Sequence, residues 1–391
     1  MSDQRLKIDA CFHYVKERLY SEKTKLIYDH IVNGREHEFP SAEEIARIYP
    51  NPCGYSTGME DGMINGGTML DACLIRYEKQ SDECAGFFAK NILEGQLLCA
   101  FAARSEGFLP RAVSPNCERS YYPDSSRDQY TMFAFGAHKY LNSALCSSEE
   151  RERIAHVAVA IARRAEKNVT RATGYDMLTD DGRPTLVNVM WGDTLGNHEW
   201  IRLPMLYLLA YESSGDPHWL DQYRKTRETA YEKSLPMGRY WHLYALGQMQ
   251  ASLRVCLDAD HDAGWSERYL SLMHKVADYA EDMCDEIRQK IESFDQYNAK
   301  QVSFRELEMP LNASFQRLGY ESPLLPSRPD AKEFFTLQDA AQIAIISGLV
   351  PNRGTKKQTL KLLDDAFEKI DLSIHERNLP VFFLQAYYRN M

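Results

Sequence analysis

Three stretches of this chain concentrate the residue types that do chemistry. The first is Asn51-Pro-Cys-Gly-Tyr-Ser-Thr-Gly-Met-Glu-Asp-Gly-Met-Ile-Asn-Gly-Gly-Thr-Met-Leu-Asp71, with five glycines in fourteen residues and the adjacent carboxylates Glu60 and Asp61. A helix begins near Met63. Each glycine inside a helix costs about 1 kcal/mol relative to alanine, so Gly62, Gly66 and Gly67 need a compensating reason. Close approach of another backbone or of a ligand would supply one. Glu60 and Asp61 at the helix start would favour the positive end of the helix dipole. The competing expectation is that Asp61 is a catalytic carboxylate, with Glu60 and Tyr55 contacting substrate.

The second stretch runs from Arg119 to Gly136 and places Ser126, Arg127, Asp128, Gln129 and Tyr130 at the start of another helix. Ser125 or Ser126 suits the cap. Arg127 is out of place there, because a helix N-terminus disfavours a cation. An anion must compensate, either a protein carboxylate or a substrate carboxylate. Asp128 is a candidate second acid, and Arg127, Gln129 and Tyr130 are candidate substrate contacts. The third stretch, Trp191-Gly-Asp-Thr-Leu-Gly-Asn-His-Glu-Trp200, brings two Trp together with His198 and Glu199. Adjacent His and Glu on a helix would point apart, and His-Glu-x-x-His is absent, so no zinc site is expected. Trp191 and His198 instead suit the lip of a sugar cleft, where aromatic faces stack on sugar rings. Trp241 and His242, in Tyr240-Trp-His-Leu-Tyr244, form a similar group.

The elements that position these groups are helical. Apolar residues recur three or four apart over Leu6–Ile31, Met63–Tyr77, Ala85–Arg104 (with Gly107 as its cap), Asp128–Leu145, Ser148–Asn168 and His198–Ser213. The pattern continues over Pro217–Lys233, Gly238–Leu257, Ser266–Ile291, Thr336–Ile346, Lys356–Ile370 and Pro380–Tyr388. Thr170–Asn197 and Phe294–Glu333 read as loops or short strands. About twelve helices without a repeated sequence period favour paired helical hairpins closed into an (α/α)6 toroid over an open solenoid. No Gly/Ser or Pro-rich linker divides the chain, so residues 1–391 are expected to form one domain. In such a ring the starts of the inner helices share one cup, which is where the three stretches would meet.

The first two stretches resemble the six-hairpin glycosidases, particularly the unsaturated glucuronyl and rhamnogalacturonyl hydrolases. Asp61-Gly-Met-Ile-Asn65 is similar to their Asp-x-x-Met-Asn motif, with one residue shifted. Ser126-Arg-Asp-Gln-Tyr130 is similar to their Ser-Arg-Gly-Gln-x-Trp motif, with Asp128 in place of Gly. The resemblance implies hydrolysis of a uronic-acid-containing oligosaccharide. Asp61 would act as general acid/base, protonating the sugar double bond, while Arg127 pairs with the uronate and Gln129 holds a hydroxyl. A polysaccharide lyase, a sugar epimerase and a noncatalytic glycan-binding protein are the alternatives.

Composition excludes other classes. Of the 391 residues, 46 are Lys or Arg and 56 are Asp or Glu, a net charge of −10 that argues against a nucleic-acid partner. No apolar run is long enough for a membrane span. The first residues show no signal core, so the cytosol is expected unless a leader has been removed. The nine cysteines include no Cys-x-x-Cys pair and are expected to be reduced, buried residues. No phosphate loop or nucleophile elbow is present, and neither cofactor nor metal is expected.

Overall fold

The computed structural model describes residues 3–33, 38–238, 243–294, 297, 302–306, 311–321 and 331–391. The helices in chain order are α1 (Asp3–Tyr14), α2 (Ala42–Ala46), α3 (Gly62–Gln80), α4 (Glu83–Phe101), α5 (Arg127–Leu141), α6 (Ser148–Asn168), α7 (Arg202–Ser214), α8 (Pro217–Ser234), α9 (Tyr244–Ala259), α10 (Ala263–Asp282), α11 (Cys284–Glu292), α12 (Ala313–Arg317), α13 (Ala331–Gly348), α14 (Lys357–Glu368) and α15 (Leu379–Asn390). Among the described residues only isolated β-bridges occur, such as Ser126 with Val187. No described helix is long and apolar enough to cross a membrane.

Local signals place the helix ends. Ser147 and Glu150 form a reciprocal capping box at α6. Asp216 caps α8 beside Pro217. Asp82 caps α4 by accepting from the Cys84 and Ala85 amides at 2.9 and 3.1 Å. Gly215, at φ 73°, ends α7 in the left-handed conformation that suits glycine.

Burial separates two layers. From Gln129 to His138 every residue of α5 is buried, whereas α8 buries only Trp219, Tyr223, Ala230 and Ser234. The more deeply buried helices pack in the order α3, α5, α7, α9, α13, α15, and α15 returns to α3. Outside this ring α4 packs on α3, α6 and α8 on α7, α10 on α9 and α13, α14 on α13, and α1 on α15. The described helices therefore form an (α/α)6 toroid. Its first outer helix, α1, completes the hairpin with its last inner helix.

Three expected features differ. The helix expected over Leu6–Ile31 ends at Tyr14, with a π-helical turn at Val15–Leu19. Beyond Tyr20 the chain is irregular, yet Leu26, Ile27, Tyr28 and Ile31 remain buried. Gly107 does not cap α4, which ends at Phe101; a Cβ there would meet the Ala160 carbonyl oxygen at 2.1 Å, so this glycine lets the loop press on α6. Six cysteines are buried, but Cys84 is exposed and Cys117 and Cys146 are half-buried.

Gly67 explains the glycine-rich start of α3. A Cβ on it would lie 2.1 Å from the Met132 carbonyl oxygen, and on the facing helix Gly136 sits against the Gly67 Cα. Close packing of α3 on α5 is thus the compensation at Gly67, whereas Gly62 lies against the Arg111 carbonyl and Gly66 against the Gln96 side chain of α4.

Where the inner helices end, away from their starts, a charged cluster joins three of them. His138 on α5 bonds Glu212 of α7 through Nδ1 at 2.7 Å, and its Nε2 lies 3.4 Å from Asp258 of α9. Lys139 and Arg254 also bond Asp258, and Asn142 donates to Glu212. Burial opposes the imidazolium charge, but the bonds to Asp258 and Glu212 outweigh it and raise the His138 pKa above 6.5. Its stabilisation is therefore fully present below the unfolded value and is lost as pH rises through the raised folded value. Urea unfolding over a pH series is expected to show this stabilisation intact below the ordinary histidine value of 6.5 and falling above it. His138→Gln should flatten the fall, and an unchanged slope in that variant would remove His138 as its source.

Candidate active site

The starts of the inner helices converge on one cavity of about 440 Å³. Asp61 precedes α3, Arg127 and Asp128 open α5, Arg202 opens α7, Tyr244 opens α9 and Asn378 precedes α15. All except Tyr244 and Asn378 came from, or stand beside, the three chemically rich stretches, and Tyr244 ends the similar group that begins at Tyr240. Of the residues expected at the site, Tyr55, Glu60, Asp61, Arg127, Asp128 and His198 line the cavity.

Asp61 occupies the N-cap position of α3, yet its side chain makes no capping bond. Its Oδ1 accepts from Gln129 Nε2 at 3.1 Å and lies 3.9 Å from Arg111 Nη1. The side chain is 38% exposed in the cavity wall. Gln129 also donates to the Glu60 carbonyl at 3.0 Å. It is fully buried and does not line the cavity, so it positions Asp61 and does not contact substrate as expected.

Behind Asp61 lies Asp29. One of its oxygens accepts from the Glu60 and Asp61 amides, both at 2.9 Å; the other accepts from Asn65 at 2.9 Å and Asn378 at 2.8 Å. Burial first, then the neighbouring Asp61 and Glu60 carboxylates, push the Asp29 carboxyl well above the usual range. Oxygens of Asp29, Glu60 and Asp61 come within 4.8 Å of one another. Four N–H donors already occupy the Asp29 carboxylate, and the Glu60 side chain accepts from the Ser56 amide. Protein donors therefore engage both Asp29 and Glu60.

Asp128 pairs with Arg202. Burial would raise its pKa, but Arg202 and Arg127 hold the carboxyl below its ordinary value. Arg127 pairs with Glu199 and donates to the Val189 carbonyl at 3.1 Å. The anion that Arg127 required is therefore a protein carboxylate, and a substrate uronate is no longer needed to explain it. Arg111 reaches the Glu60 carbonyl at 3.1 Å and the Tyr55 hydroxyl at 3.0 Å. Ser126 makes no side-chain cap bond, and Ser125 instead donates to the Leu109 carbonyl at 2.6 Å.

His198 and Glu199 do not diverge as expected. Helix α7 starts at Arg202, so both residues lie on the preceding turn, with His198 Nε2 3.8 Å from Glu199 Oε1. Burial, then the nearby Arg202, lower the His198 pKa to about 4. The imidazole is neutral at physiological pH. Desolvation, then the nearby Asp128, push the half-buried Tyr244 up to about 12.

Two expected contacts are elsewhere. Tyr130 is fully buried in the wall, where its hydroxyl accepts from the Leu109 amide at 3.0 Å. Trp191 packs edge-on against Trp200 at 4.9 Å and does not line the cavity. Trp241 and His242 lie outside the described residues. Asp29, Arg111, Arg202 and Asn378 were not anticipated. Arg202 carried the same signal as Arg127, a cation at the start of an inner helix.

No family model matches the chain, and no curated protein matches it. Among solved structures it is similar to a sugar epimerase from ruminal bacterium, at 10% identity over 97% of this chain and 98% of that one, with a TM-score of 0.47. A likeness at this level decides neither fold nor chemistry.

Proposed function

We propose that the cavity cleaves glycosidic bonds by carboxylate acid/base catalysis. The observation that carries this reading is the Asp61 carboxyl. It stands at a helix start without capping it and is exposed to the cavity beside Gln129. Asp61 would give its proton to the glycosidic oxygen as the carbon–oxygen bond breaks. Asp128, held ionised by Arg202 and Arg127, would take a proton from the incoming water. Two carboxyls that face one sugar can divide acid from base work in this way.

His198 favours a second reading, a sugar epimerase. A neutral, sheltered imidazole is a competent base for a proton next to a sugar carbonyl. Incubating oligosaccharides in D2O separates the two. Hydrolysis is expected, with new reducing ends and no carbon-bound deuterium. Deuterium on carbon with chain length unchanged would replace the hydrolase by an epimerase.

A further inference from the structure

The inward half of the cavity differs in chemistry from its mouth. Gln248 lies on the second turn of α9, and Gln338 and Gln342 lie one turn apart on α13, all inward of the helix starts that carry the charged groups. They are 5%, 7% and 6% exposed. Among the described residues none of the three side-chain amides has a hydrogen-bond partner, and the Gln248 side-chain oxygen is buried without one. Burying an unpaired amide oxygen costs about 1–3 kcal/mol, so the Gln248 oxygen, beside two amides that open onto the same cavity, calls for a ligand or ordered water. Room is made for them. At Gly247 a Cβ would meet Gln342 Oε1 at 2.2 Å, so only glycine leaves that amide its place. Ile345 and Leu349 continue the same wall.

Charge adds a second constraint. Among the described lining residues five carboxyls, Asp29, Glu60, Asp61, Asp128 and Glu199, face three guanidiniums. Arg127 and Arg202 are paired with Glu199 and Asp128, and Arg111 reaches Tyr55 and the Glu60 carbonyl. An anionic sugar entering here would find these guanidiniums already engaged and, to pair with Arg127 or Arg202, would have to displace an internal carboxylate. Deeper in, it would meet amides, which carry no charge. An amide offers both a donor pair and an acceptor, which is the complement of a sugar hydroxyl.

We propose that Gln248, Gln338 and Gln342 form a subsite for an uncharged sugar ring, held through its hydroxyls, so that this enzyme takes a neutral sugar and discriminates against a uronate. The proposal rests on the saccharide reading of the same cavity and names its substrate class. Isothermal titration with paired probes tests it: methyl glucoside, methyl galactoside and methyl mannoside against their uronate counterparts, together with neutral disaccharides. The neutral member of at least one pair is expected to bind at least tenfold more tightly than its uronate. Gln338→Leu and Gln342→Leu, near-isosteric changes whose folding is checked by melting, should each weaken that neutral ligand at least tenfold. They should leave a uronate's weak binding unchanged. A uronate that binds as tightly as its neutral partner would overturn the subsite while leaving the saccharide reading in place. Full neutral-sugar binding in folded Gln338→Leu and Gln342→Leu would do the same. No binding across either series would overturn the saccharide reading and the subsite with it.

Discussion

Asp61→Asn is expected to lose turnover by roughly 100-fold or more while melting as the wild type does. A positioned general acid contributes about 10²–10⁴ in rate, and asparagine keeps the shape of the side chain but has no proton of the required acidity to give. The folded state loses little. The carboxylate caps no amide of α3, and its contact with Gln129 involves one oxygen that the asparagine carbonyl replaces. Arg111, 3.9 Å from the Asp61 carboxylate, keeps its own bonds to the Glu60 carbonyl and the Tyr55 hydroxyl. A melting temperature close to that of the wild type, with turnover gone, is the expected pair of measurements. A variant that turns over normally would move the acid role to Asp128 or Glu60.

The sequence showed part of this site because helix starts carry local signals. Glu60 and Asp61 stood in a glycine cluster, and Arg127 was a cation at the wrong end of a helix dipole. The (α/α)6 ring was legible for a related reason: apolar spacing marks helices wherever one face is buried. What stayed hidden depends on contacts between distant residues. Asp29 falls between Ile27 and Ile31, where helical spacing makes it an outward polar residue. The chain is irregular there, and the carboxylate turns inward to the Glu60 and Asp61 amides. Tyr130 and Gln129 were expected beside substrate because they neighbour Asp128. On a fully buried inner helix, however, adjacent residues face different neighbours, so Gln129 points to Asp61 and Tyr130 into the wall. The pairing of Arg127 with Glu199 joins two of the three rich stretches, and nothing local to either one reveals it.

Ring closure gives the largest expected effect on stability. Asp71 of α3 and Arg389 of α15 join the first and last inner helices. Arg389 donates through Nε to Asp71 Oδ2 at 2.7 Å and through Nη2 to Oδ1, and Gln385 adds a bond to Oδ2 at 2.8 Å. The two side chains are 7% and 2% exposed. A two-pronged pair of this kind fixes geometry as well as charge. Asp71→Ala would leave the guanidinium buried without its anion, and breaking such a pair typically costs about 3–5 kcal/mol. Urea unfolding of Asp71→Ala is expected to show a loss of that size. The double variant Asp71→Leu/Arg389→Met should recover most of it, because buried pairs replaced together by apolar groups are often neutral or better. A single-variant loss below about 1 kcal/mol, the range of exposed pairs, would show that the seam is held by apolar packing of α3 on α15. If that loss is large and the double variant fails to recover it, the carboxylate does more than neutralise Arg389. Its bond from Gln385, a residue that also lines the cavity, would then tie the seam to the site.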